Sequence, residues 1–173
     1  MDYTTELIKI LVPALLVLYA MYLVVRSFLN KQFDQKMIEL KAKNTEVILP
    51  IRLQAYERVA LLLERVSPNN MLLRLSDPGI SAFDFQHLLL KEIREEQNHN
   101  LSQQVYMSDE AWNATKNAIN TIITIIQTAS ANMDETKNAV DLAESIFGEM
   151  MKLENDPAIE ALSIVKSELR LFL

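Results

Sequence analysis

The chain has no cysteine, two glycines and two histidines among its 173 residues. Without cysteine there can be no disulfide framework, no thiolate metal site and no cysteine nucleophile. The two glycines, Gly79 and Gly148, lie far apart, so no glycine-rich phosphate loop can be built. Basic residues are also scarce beyond residue 50, with eleven Lys and Arg against eighteen Asp and Glu, whereas the first fifty residues hold six against five. An acidic body lacks the basic face that non-specific nucleic-acid binding requires, so no nucleic-acid partner is expected. The same charge keeps the body from lying flat on an anionic membrane.

What the chain does have is a long apolar run near its start. Ile10 to Val25 reads ILVPALLVLYAMYLVV without a charge. With Leu7, Ile8, Phe28 and Leu29 it reaches the roughly 20 residues a helix needs to cross about 30 Å of hydrocarbon. A cleaved signal peptide would open with basic residues and close on small ones. Here Asp2 and Glu6 stand in the opening and Arg26, Ser27, Phe28, Leu29, Asn30 and Lys31 follow the run. The expectation is an uncleaved transmembrane anchor over residues 1–29, with membrane lipid as its surroundings.

Orientation follows from the flanking cations. Arg26, Lys31, Lys36, Lys41 and Lys43 stand after the run and only Lys9 before it. The positive-inside rule then puts the amino terminus outside and the carboxy-terminal part in the cytoplasm of a single-pass protein. Lys9, Arg26, Lys31 and Lys36 are the expected membrane-interface residues, Lys9 reaching the outer headgroups along its own stem. Pro13 reads as a proline near a helix start. Tyr19 and Tyr22 lie mid-span, and their hydroxyls call either for a helix alongside or for a local hydrogen bond.

Residues 30–49 form a basic helical stalk. Phe33, Met37, Leu40 and Val47 recur at approximate heptad spacing with Asn44 on the same stripe, which is also how a short coiled coil would read. The stripe is short, and an amphipathic stalk packed on its own domain is the expectation. Pro50 is expected to break the helix there.

Residues 50–173 read as consecutive amphipathic helices, hence an all-α, up-and-down bundle of four or five helices behind the anchor and stalk. In IRLQAYERVALLLERV the stripe Ala55, Val59, Leu62 and Val66 is widened by Ile51 and Leu63, and Arg52, Arg58 and Arg65 belong to a solvated face rather than an anion clamp. SPNN at 67–70 and SDPG at 76–79 read as turns, with a short helical stretch between them. Ser81, Ser108 and Asp156 are expected N-caps, the last with Pro157 at the first helical position. The helix from Ser81 turns Phe85, Leu88, Leu89 and Ile93 inward. INTIITIIQT is rich in β-branched residues, yet its flanks keep a helical period through Ala111, Ala118, Ile122 and Ala129. A further helix over about 134–153 uses Val140, Ala143, Ile146, Phe147 and Met150, and the last uses Ala158, Leu162, Val165, Leu169 and Phe172.

Catalytic and metal chemistry find little purchase. Glu96 and His99 have the E-x-x-H spacing of ferritin-like bundles, and Asp84 and His87 repeat it. A di-iron site needs such pairs on two facing helices, but these histidines are twelve residues apart on one helix, about 18 Å along its axis. No metal, cofactor or catalytic residue is assigned. The acidic cluster Glu92, Glu95 and Glu96 reads as a solvated face, and the glycosylation patterns at Asn100 and Asn113 as chance matches.

The segment ILPIRLQAYERVALLLERVSP behind an amino-terminal span resembles uncharacterised single-span inner-membrane proteins of Bacteroidota. The resemblance implies a bacterial inner membrane and carries no activity, ligand or catalytic residue. The expected function is therefore that of a non-enzymatic membrane-tethered adaptor or accessory subunit, with a protein partner met through exposed apolar residues such as Met150, Met151 and Phe172, and with a homo-oligomer as a further possibility. The alternatives are a stator-like subunit whose span packs in a membrane complex, and a membrane-bound enzyme with a site of scattered polar residues.

Overall fold

A computed structural model describes residues 3–131, 133–134 and 136–172. Its elements are α1 (Tyr3–Val66), α2 (Pro68–Leu75), α3 (Ala82–Asn100), a 3-10 turn (Leu101–Tyr106), α4 (Asp109–Ala131), α5 (Ala139–Met150) and α6 (Pro157–Arg170). The described residues contain no strand, and the β-branched run of α4 is helical throughout. The architecture is thus all-α, with one long apolar amino-terminal helix followed by a helical bundle.

Two compact units divide the chain, Met1–Ile48 and Leu49–Leu173. In the first, the helix of residues 3–48 is solvent-exposed along its described side chains. Phe33, Met37, Leu40 and Val47 are all exposed.

Pro50 does not break the helix, which is assigned without interruption through both Pro13 and Pro50. Pro50 removes one backbone donor and so leaves the carbonyl of Glu46 without its usual bond. Residues 46 and 50 are exposed, and a solvated carbonyl bears that loss at little cost.

In the second unit the core unites Tyr56, Val59, Leu62, Leu63 and Val66 of α1 with Phe85, Leu89 and Ile93 of α3, Ile119, Ile122 and Ile126 of α4, Leu142 and Ile146 of α5, and Leu162 and Val165 of α6. α4 packs against α6, α5 and α3, and α3 against α5. Three members of the expected stripes fall outside it: Ile51 is 44% exposed, Val140 38% and Phe172 36%. Val140 sits in the first turn of α5 with Leu142 inward in its place. Ile51 precedes the first fully buried residue of α1 by one turn.

The helix ends show why the chain turns where it does. The Ser81 hydroxyl accepts from the Asp84 amide at 3.0 Å and donates to the Asp84 carboxylate at 2.7 Å. Ser108 accepts from the Ala111 amide at 3.1 Å, and Asp156 from the Ala158 amide at 2.8 Å. α5 begins later than expected, at Ala139, because Asn138 and Asp141 form a reciprocal capping box; Glu135 of the expected 134–153 helix lies outside the described residues. α2 starts inside SPNN, since Pro68 takes a first helical position directly after Ser67. The Ala82 amide donates to the Lys137 carbonyl at 3.0 Å and the Ala139 amide to the Ile80 carbonyl at 3.1 Å. These two bonds set the starts of α3 and α5 side by side at one end of the bundle.

Candidate functional site

At the opposite end, α1 and the start of α4 meet one carboxylate of α6. Glu168 of α6 accepts from the Ser108 amide at 3.0 Å and from the Ser108 hydroxyl at 2.6 Å, at the mouth of α4. Its other neighbour is the Tyr56 hydroxyl of α1, which donates to it. Arg52, one turn earlier, donates from Nε to the Tyr106 carbonyl at 3.1 Å and stacks its guanidinium 3.7 Å above the Phe172 ring. The Phe172 and Tyr56 rings are 6.2 Å apart. The clasp therefore ties the carboxy-terminal end of the chain and the start of α4 to α1.

Its electrostatics are consistent with fixed charges. Burial pushes the Tyr56 phenol up to about 12, helped by its bond to the Glu168 carboxylate and opposed by Arg52. Tyr56 is thus a neutral donor at any physiological pH. Burial acts on Glu168 in the same upward sense, but the Ser108 hydroxyl, the Tyr56 hydroxyl, the Ser108 amide and the Arg52 charge together hold it below the usual carboxylate range. A carboxylate engaged by three donors is a structural anchor.

The residues singled out from the sequence are spread over the molecule. His87 and His99 are exposed on α3, with His87 edge-on to the Phe83 ring at 4.5 Å. Glu96, which shares the spacing of His99, pairs with Arg65 at 3.2 Å and accepts from the Asn100 amide group at 3.1 Å. Among the described residues no three His, Asp or Glu side chains come together as a metal cluster. The three arginines separate, Arg52 to the clasp and Arg65 to Glu96. Asn100 is buried, which removes it from the surface a glycan would need. Tyr19 and Tyr22 are exposed, and neither hydroxyl forms a hydrogen bond within the chain among the described residues. Lys9, Arg26, Lys31 and Lys36 are likewise exposed. Of the expected apolar contact residues, Met151 is 87% exposed, Phe172 belongs to the clasp and Met150 is half-buried against the core.

Tyr56 and Glu168 were beyond the reach of sequence reasoning. They are separated by 112 positions, and the only local signal is a tyrosine inside an apolar stripe.

Among the described residues, the apolar segment of α1 is exposed along its length. Within the helix spanning Glu6–Val66, an 18-residue window has a mean hydropathy of 2.3 and none of it is buried. Its length and composition suffice for a membrane crossing. Fold and surface define a class: an α-helical bundle behind one exposed apolar helix of membrane-spanning length. The chain belongs to the family of unknown function DUF7935, which it matches over residues 2–172. No match is found among curated proteins, and none among solved structures.

Proposed function

We propose that the chain is a non-enzymatic adaptor or accessory subunit, tethered to a bacterial inner membrane by residues 7–29, with its bundle in the cytoplasm. The observation that carries this reading is the apolar window with none of its surface covered by protein. In water such a surface would drive aggregation, and hydrocarbon is its natural surroundings. The cations after the run orient it amino terminus outward, and the resemblance to single-span proteins of Bacteroidota supports the same membrane. Support for a non-catalytic role is the distribution of polar groups, since the carboxylate with the richest set of donors is consumed by the clasp.

A second reading is favoured by Tyr19 and Tyr22, whose unpartnered hydroxyls would be satisfied by a neighbouring helix. In it the span itself packs within a membrane complex. Purifying the full chain in mild detergent beside one lacking residues 1–29 separates the two. Partners identified by mass spectrometry that follow both chains place recognition on the bundle. Partners that follow only the full chain place it on the span, and the adaptor reading fails.

A further inference from the structure

The exposed face of α1 in the first unit has a regular register. Counting heptads, Leu16, Leu23, Asn30, Met37 and Asn44 take the a positions, and Tyr19, Arg26, Phe33, Leu40 and Val47 the d positions. Phe33 is 69%, Met37 54%, Leu40 57% and Val47 64% exposed, so the stripe is presented and unoccupied within the chain. Tyr19, one of the two mid-span tyrosines, falls on the same stripe as the stalk's apolar residues, and Tyr22 falls on the flanking g position.

The geometry points to a second copy of this chain as the occupant, paired through residues 16–47 as a parallel, in-register two-stranded coiled coil. This rests on the membrane tether proposed above, because two spans in one bilayer with the same orientation make the stalks parallel and level. Asn30 and Asn44 then meet their own counterparts. An amide at an a position is self-complementary across such a seam and disfavours other registers and larger oligomers. Arg26, at the span's inner end, extends its guanidinium to the headgroups rather than into the seam. Tyr19 can hydrogen-bond across the pair.

The flanking charges make the pairing distinguishable from any other. Lys36 takes a g position and Lys41 the following e position, so each pair of copies sets Lys36 of one against Lys41 of its partner, twice. Solvated like charges oppose pairing weakly compared with burial of the Phe33, Met37, Leu40 and Val47 side chains. Salt therefore strengthens self-association. A partner helix with acidic flanks would attract these lysines, and salt would weaken it.

The absence of native cysteine allows a direct test on the full chain in membranes. Single cysteines are placed at seam positions, Met37→Cys and Val47→Cys, and at outward f positions, Gln35→Cys and Ala42→Cys, then oxidised. The expected result is a covalent dimer at 37 and 47 in several-fold excess over 35 and 42. Lys41→Glu, which places a carboxylate opposite Lys36, should raise the dimer fraction at low salt and reverse its salt dependence. Equal or absent cross-linking at all four positions in membrane-bound protein overturns the pairing and leaves the tether standing, as does an adduct with a different protein. Chain that fails to remain with the membrane overturns the tether instead.

Discussion

Tyr56 is the residue on which the clasp turns. Its hydroxyl is one of three donors to Glu168, while its ring is fully buried. Tyr56→Phe keeps the packing and removes the donor, and should cost about 1.5–3 kcal/mol because the acceptor is charged. Tyr56→Ala also empties a core position and should cost about 3–5 kcal/mol, the range for large aromatic truncations. Chemical denaturation of the full chain in detergent measures both, and an unchanged stability for Tyr56→Phe would contradict the clasp. The pH dependence has two limbs. Glu168 is held below its usual value, so its contribution is present above about 4.5 and is lost as pH falls through its lower folded value. Tyr56 is raised from 10.0 to about 12, so its contribution is present below 10 and is lost as pH rises toward 12. Glu168→Gln should flatten the acid limb selectively in melting experiments across pH.

Among the elements, α1 departs most from what its sequence suggests, and Pro50 is the reason. A proline after a hydrophobic stalk reads as a helix start, yet the helix is continuous there because the neighbouring carbonyl is solvated. Pro50→Ala should therefore stabilise the chain, by up to about 3 kcal/mol on helix propensity. A lower melting temperature for this variant would mean that a helix begins at residue 50 instead. Local capping was the most legible part of the fold. Ser81, Ser108 and Asp156 act as caps because a short polar side chain before an apolar run has one good local use. Ser81→Ala should cost about 1 kcal/mol by the same rule. The start of α5 was not legible, since its cap Asn138 is specified jointly with Asp141 and with a backbone bridge to Ile80 that sequence does not display.

At the scale of the molecule, periodicity identifies the helices and most inward faces, because a bundle buries one stripe per helix. It fails where burial depends on the far end of the chain. Ile51 continues the stripe of Ala55 and Val59 but is left exposed, and Leu142 is buried while Val140 is not. The clasp, joining residues 52 and 56 to 106, 108, 168 and 172, is a long-range arrangement with no local signature. The apolar segment is the opposite case, legible from composition alone and unpartnered in the fold.

In the proposed topology this segment crosses a membrane and the bundle lies on the cytoplasmic side. That topology is tested most directly by labelling single cysteines, Tyr3→Cys and Asn98→Cys, in the otherwise cysteine-free chain with a membrane-impermeant maleimide. In a bacterial host whose outer envelope has been removed, Tyr3→Cys should be labelled at once, and Asn98→Cys only after the inner membrane is permeabilised. Labelling of Asn98→Cys in intact cells would overturn the orientation, and recovery of the chain in the soluble fraction would overturn the membrane crossing.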